Sequence, residues 1–281
     1  MKTMGAFLFA ALFCAAIPAG AAGPLRLAGR TELPGYTGDF DHFAYDLQTR
    51  TLWLAAEDHG TLDVFDLDTG ALRESLGGVV DTPHAVHYEP RKQRLIVTDS
   101  GGKAMATKVI GRGAPRIFRL AAPAADAMTF DASTGRLYVA NGGRDAKLHK
   151  TWVSAFDPRT LKRFGDVAFD SEKVEGMAAE QKGNRLFVNV TGRNEIAVLD
   201  KRNLKLLATW PVAGAAENAP MAFDEERRRL FVITRKPWRM IVLDADTGAT
   251  VASFAAPAKC DQVIWDAANR RIYAPGGEGF I

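Results

Sequence analysis

Beyond residue 40 the chain is built from short runs in which apolar and polar positions alternate, each run stopped by Asp, Gly, Asn or Thr. Alternation with a period of two marks half-buried β-strands, and the i, i+3, i+4 spacing of helices is almost absent. The runs themselves recur. TRTLWLAA (residues 49–56), KQRLIVTD (92–99), TGRLYVAN (134–141), GNRLFVNV (183–190), RRRLFVIT (227–234) and NRRIYAPG (269–276) are six copies of one phrase. Their central residues Leu52, Leu95, Leu137, Leu186, Leu230 and Ile272 stand 43, 42, 49, 44 and 42 positions apart.

A strand ending in an acid precedes each copy: HFAYD, AVHYE, AMTFD, GMAAE, PMAFD and QVIWD. A second phrase follows four of them: LDVFDLDTG (62–70), WVSAFDPRT (152–160), IAVLDKRN (196–203) and IVLDADTG (241–248). Each enters a tight reversal through Asp, and a further strand such as LKLLATWPV (204–212) comes after it. One period therefore holds four strands, a to d. Antiparallel four-stranded units repeated radially every 40 to 45 residues or so predict an all-β fold, a β-propeller.

RLYVAN followed by VSAFDPRTL, and RLFVNV followed by IAVLDKRNLKLL, resemble the YVTN repeat of YncE-like β-propellers. The resemblance covers nearly everything after residue 23 and implies a seven-bladed, extracytoplasmic propeller, often of unassigned function. The six copies fall short of that ring. The sequence ends at GGEGFI after strand b of the sixth copy, and PLRLAGRTEL (24–33) has no a, b and c strands ahead of it. The expectation is a ring truncated after about five and a half blades, with residues 24–33 as the outer strand of the last one, and a monomer when complete. An open ring would expose Ile264, Trp265, Ile272 and Tyr273, at a cost on the order of 5–10 kcal/mol, and the chain alone is expected to be poorly soluble.

The first 22 residues change the compartment. Lys2, an apolar run from Ala6 to Ile17, Pro18 and the small residues up to Ala22 form a secretory signal, giving a signal at 1–22, a single propeller domain at 24–281 and a secreted or periplasmic protein. The apolar run is shorter than the roughly 20 residues a bilayer crossing needs, and no later segment is apolar enough to cross. The whole chain carries Lys plus Arg 36 against Asp plus Glu 33; without Lys2 the excess is +2, too small to draw nucleic acid. Cys260 alone remains after the signal, which excludes an intrachain disulfide and reads as a small buried hydrophobe.

Candidate chemistry follows from strand order. Loops d–a and b–c emerge on one face, a–b and c–d on the other. Five places before each strand-ending acid stand Asp41, His84, Asp126, Glu175, Ala219 and Asp261, five of six being Asp, Glu or His. Strand a is innermost in a propeller, so these residues should ring the mouth of the central channel, with His42 and His87 close by. Carboxylates suit calcium, and imidazole admits zinc or another divalent cation, with Asp41, His84, Asp126, Glu175 and Asp261 as metal ligands. The competing reading has each side chain hydrogen-bonding backbone at a blade junction. The b–c loops differ from one another, and the third and fifth carry Arg144, His149, Arg235 and Trp238, a cationic rim for an anionic or sugar-like ligand or else ordinary solvated loops. On the opposite face an Arg recurs just before the Leu in most copies, as a structural partner for a neighbouring acid would, although a basic band also fits phosphate or a membrane surface.

No G-x-S-x-G, H-E-x-x-H, C-x-x-C-H or G-x-x-x-x-G-K-[ST] motif occurs. The function expected is a non-enzymatic extracytoplasmic module that binds a protein or small molecule on its top face, with no established cofactor. The alternative is a hydrolase similar to propeller lactonases, with a divalent ion at the channel mouth.

Overall fold

A computed structural model describes residues 25–281; the signal read at 1–22 lies outside them. Five four-stranded antiparallel sheets and one two-stranded sheet follow one another along the chain. Blade 1 comprises β1 (Phe43–Asp46), β2 (Thr51–Ala56), β3 (Thr61–Asp66) and β4 (Leu72–Gly77). Blade 2 comprises β5 (Pro83–Glu89), β6 (Arg94–Asp99), β7 (Ala104–Val109) and β8 (Arg116–Phe118). In blade 3 the strands are β9 (Ala125–Asp131), β10 (Arg136–Gly142), β11 (Thr151–Phe156) and β12 (Arg163–Phe169). Blade 4 follows with β13 (Met177–Ala179), β14 (Arg185–Val190), β15 (Glu195–Asp200) and β16 (Leu206–Pro211). Blade 5 has β17 (Ala216–Asp224), β18 (Arg229–Lys236), β19 (Trp238–Asp244) and β20 (Thr250–Ala255), and the sixth unit is β21 (Ile264–Asp266) paired with β22 (Arg271–Tyr273). This is the β-propeller architecture the repeat predicts. No helix among the described residues is long and apolar enough to cross a membrane.

The repeated acids explain the turns. Asp66 Oδ1 accepts from the N–H groups of Asp68 and Thr69, both at 2.8 Å, and Asp200 and Asp244 do the same in their c–d turns. The fifth residue of each turn sits at positive φ, where Gly70 and Gly248 need no Cβ, yet Leu161 and Leu204 hold the same conformation. Strand-ending acids at the a–b turns act alike: Asp46 accepts from Gln48 N–H and Glu89 from Lys92 N–H.

No single core exists. The apolar clusters lie in the seams between successive blades, such as Tyr138, Val153, Val174, Leu186 and Leu199 between blades 3 and 4. Phe187, Val198, Leu230 and Leu243 fill the next seam. Strands β1, β5, β9, β13, β17 and β21 are neighbours in turn, so strand a lines the axis.

The recurrent arginines join blades. Arg94 donates to the carbonyls of Pro158 and Arg159, Arg136 to those of Lys201 and Arg202, and Arg185 to that of Ala245. Each thus reaches the c–d turn of the following blade. The partners are chiefly carbonyl oxygens, where an acid was expected; Arg185 also pairs with Glu180 and Asp246. Beneath Arg136, Lys201 and Asp131 form an ion pair with side chains 2% and 0% exposed.

Residues 25–33, expected as an outer strand, contain no strand and are mostly exposed. Thr31 Oγ1 donates to Gly70 O, attaching the segment to blade 1. In the sixth unit Ile264 is 38% exposed, whereas Trp265 and Ile272 pack on blade 5, Trp265 stacking on Phe231 at 5.7 Å. Cys260 is buried, its thiol pushed up to about 11 by burial and donating to Gln262 O at 3.1 Å.

Candidate functional site

In blades 1 to 5 the ring position is set by a bulge. Pairing of strand a with strand b slips between Pro83 and Val86 in blade 2, between Ala125 and Met128 in blade 3, and between Asn218 and Met221 in blade 5. Blade 1 shows the same pattern: Asp41 N–H donates to Ala55 O at 2.9 Å while Ala55 N–H donates to His42 O at 3.0 Å. Blade 4 repeats it through Glu175, Asn189 and Gly176, both bonds at 3.0 Å. Two residues thus oppose one, and the extra residue is turned out of the ladder toward the axis.

Blade junctions use the backbone of this position, and its side chain makes no bond to backbone. His42 N–H donates to His84 O at 3.3 Å, and Gly176 N–H to Ala219 O at 2.9 Å. Thr98 Oγ1 donates to Asp126 O at 2.7 Å, and Asn189 Nδ2 to Ala219 O at 2.6 Å. Among the described residues no ring side chain bonds to backbone, so the reading in which each does so at a blade junction is corrected: the carbonyls accept those bonds, and the side chains pair across blades with other side chains.

The ring side chains converge. A cavity of about 670 Å³ is lined by residues of all six units: Asp41, His42 and Glu57 from the first, then His84, Asp126, Lys173 and Glu175, Arg235 and Trp238, and Asp261 from the sixth. A second cavity of about 170 Å³ continues down the axis past Met128, Met177 and Met221 and shares His42, Glu175 and Asp261 with the first.

Two groupings share the mouth. In the first, Asp41 joins the imidazoles of His42 and His84: one carboxylate oxygen pairs with His42 Nδ1, and Oδ2 lies 2.5 Å from His84 Nδ1. His84 Nδ1 is also 3.5 Å from Asp126 Oδ1, and its Nε2 is 2.8 Å from Ser100 Oγ and 3.5 Å from Glu57 Oε1. In the second, Glu175 Oε1 is 2.6 Å from Lys173 Nζ and 3.4 Å from Arg235 Nη1, while Arg235 Nη2 pairs with Asp261.

The electrostatics follow from that geometry. Burial would raise the Asp41 carboxyl, but the adjoining His42 and His84 imidazoles hold it well below the usual carboxylate range. Burial would depress both imidazoles, and the facing carboxylates overcome it, lifting His42 and His84 to about 9. Asp126 is pushed up to about 7, first by burial and then by Glu175. At neutral pH the mouth therefore presents an imidazolium–carboxylate–imidazolium chain beside a carboxyl whose burial and acidic neighbour favour its protonated form.

Of the ring and loop candidates, Asp41, His42, His84, Asp126, Glu175, Asp261, Arg235 and Trp238 border the cavity. Arg144 and His149 do not. The His149 side chain is 94% exposed and pairs with Glu172 at 2.6 Å, and the third loop does not join the fifth in one cationic rim. His87 is corrected too: its ring packs at a tilt against Phe130, centroids 4.8 Å apart, between blades 2 and 3, and it is absent from the lining. Because side chains alternate along β5, His87 cannot share the mouth with the bulged His84. Glu57, Ser100 and Lys173 were missed; Glu57 heads its b–c loop and Lys173 precedes Glu175 by two, signals visible only once those loops are known to face the axis.

No family model and no curated protein matches the chain. Solved structures similar to it include hydrazine synthase of Kuenenia stuttgartiensis (TM-score 0.71, 13% identity, 84% of this chain and 80% of that one). A chain of the mitotic checkpoint complex matches at TM-score 0.70 and 15% identity over 99% of this chain and 82% of that one. A chain of a nidogen/laminin complex matches at 0.62 and 12%, over 83% and 82%. At such identities the likeness establishes the propeller fold alone.

Proposed function

We propose that this propeller is an extracytoplasmic, non-enzymatic binding module of the YVTN, YncE-like type, taking a small polar ligand at the mouth of its channel. The observation that carries this reading is the convergence of side chains of both charge signs, from six successive units, on one cavity of about 670 Å³. That volume falls in the range of small-molecule sites, and the ring side chains that line it bond to other side chains and not to backbone. Arg235, oriented by Glu175 and Asp261, brings its guanidinium charge to a ligand carboxylate, and Trp238, also in the lining, offers an apolar wall. Secretion to the periplasm or beyond is part of the same reading and rests on residues 1–22.

The test is a thermal-shift and calorimetric screen of the full chain against organic acids, amino acids and sugars, repeated with Arg235→Gln. Ligands that stabilise the wild type and lose at least about tenfold in affinity in the variant support the reading. Binding that is indifferent to Arg235→Gln and Glu175→Gln refutes the mouth as the site. N-terminal sequencing of exported protein should begin near residue 23.

A second reading, a lactonase-like hydrolase, is favoured by one observation: ligand-type atoms of Asp41, His84 and Asp126 lie within 4.8 Å of one another. Lactone and ester hydrolysis that disappears in Asp126→Asn would support it, and inert metal-supplemented protein would sink it.

A further inference from the structure

We infer that Asp41, His84 and Asp126 form a three-ligand site for one divalent first-row transition ion, zinc being the reference case, in the wall of the mouth cavity. This deepens the binding reading, since the ion would sit where the cavity ligand is taken, and it separates three ring residues from the five that sequence spacing groups together.

The distances select these three. In a tetrahedral site with bonds of about 2.0–2.1 Å, ligand atoms stand about 3.4 Å apart. Asp126 Oδ1 is already 3.5 Å from His84 Nδ1. Asp41 Oδ2 is 2.5 Å from the same nitrogen, a hydrogen-bond distance, and an opening of about 0.9 Å lets an ion stand where the shared proton now lies. Glu175 and Asp261 are not available in the same way: Lys173 and Arg235 engage the first and Arg235 the second.

The surroundings of the ligands are those a metal requires. A metal-bound imidazole usually donates its second ring N–H to an oxygen acceptor, which fixes tautomer and orientation. His84 Nε2 meets Ser100 Oγ at 2.8 Å and Glu57 Oε1 at 3.5 Å, leaving Nδ1 directed between the two aspartates. The outer oxygen of Asp41 is held by His42. Charge points the same way once the ion displaces the His84 proton: the lining then sets the acids Asp39, Asp41, Glu57, Asp126, Glu175 and Asp261 against Lys173, Arg235, Lys259 and the imidazole of His42. One imidazole nitrogen with two carboxylates suits zinc, manganese or cobalt better than calcium, which takes six to eight oxygens or so. Three protein ligands leave a fourth position open to the cavity.

The experiment uses the full chain, stripped with chelator and titrated with Zn²⁺, Co²⁺ and Ca²⁺ by calorimetry, with cobalt absorption as a spectroscopic readout. Expected are one Zn²⁺ per chain, cobalt bands of a four- or five-coordinate nitrogen–oxygen site, and no comparable calcium binding. Affinity should fall more than about 100-fold in His84→Asn and in Asp126→Asn, about 10- to 100-fold in Ser100→Ala, and stay within about threefold in Glu172→Gln, outside the lining. Circular dichroism of each variant must match the wild type; if His84→Asn misfolds, Asp126→Asn and the cobalt spectrum decide. Absence of stoichiometric transition metal, or retention of it in folded Asp126→Asn, overturns the assignment. Organic-ligand binding by metal-stripped protein would at the same time leave the cavity reading standing.

Discussion

Replacing Lys201 by Met should unlock the seam between blades 3 and 4. The Lys201 ammonium is 2% exposed; it lies 3.2 Å from Asp131 Oδ2 and 2.6 Å from Ser133 Oγ, and donates also to Glu180 O. Asp131 itself is fully buried, and burial would raise its carboxyl; Thr134, Ser133 and Lys201 together hold it below the usual range. Methionine matches the stem of lysine and fills the same space, so the loss is mostly electrostatic. It leaves Asp131 buried without its cation, and Glu180 O without that donor. Removing one partner of such a pair costs about 3–5 kcal/mol, and the remaining Ser133 and Thr134 bonds to Asp131 argue for the lower end, about 3 kcal/mol. For a chain of this size that lowers Tm by roughly 6–12 °C. Urea denaturation followed by far-UV circular dichroism measures it. In the double variant Lys201→Met/Asp131→Asn the buried charge is gone, and at least half the loss should return. A single-variant loss below about 1 kcal/mol, or a double variant no better than the single, would refute the reasoning.

Other outcomes follow from the same contacts. His87, packed against Phe130, is lowered to about 4 by burial. The unfolded chain therefore takes up this proton first as pH falls below about 6.5, and stability should drop between there and pH 4 by up to about 3 kcal/mol, a slope that His87→Phe removes. Gly176→Ala would place a Cβ 2.7 Å from Ala219 O and 2.8 Å from Met221 N, so the inner strands of blades 4 and 5 must part; a loss of about 2 kcal/mol or more is expected by urea titration. Phe187→Ala, at a fully buried ring facing Trp210 and Phe223, should cost about 3–5 kcal/mol, measured the same way. Arg136→Lys keeps the charge but loses the fork that reaches the carbonyls of Lys201 and Arg202 and the stacking over Phe164 at 4.2 Å, lowering stability by about 1 kcal/mol.

By itself the sequence determined the propeller, because blade strands are local: each pairs with the next in the chain, and alternation, turn acids and a period near 43 residues survive in one dimension. It also placed Asp41, His84, Asp126, Glu175 and Asp261 on one face, since strand order alone sorts the loops. Tertiary structure decided the rest. Whether a ring side chain serves the junction or the cavity depends on a one-residue bulge and on carbonyls such as those of His84 and Ala219, which no residue code records. The division of the ring into an Asp41–His84–Asp126 grouping and a Glu175–Asp261 grouping depends on Lys173 and Arg235, which arrive from loops 60 or so residues apart in sequence. His87, three residues beyond His84, turns into a seam instead of the channel because the strand resumes its two-residue period after the bulge. Contacts between elements distant in the chain are set by the radial stacking of blades, and only the stacked structure brings them within hydrogen-bond reach.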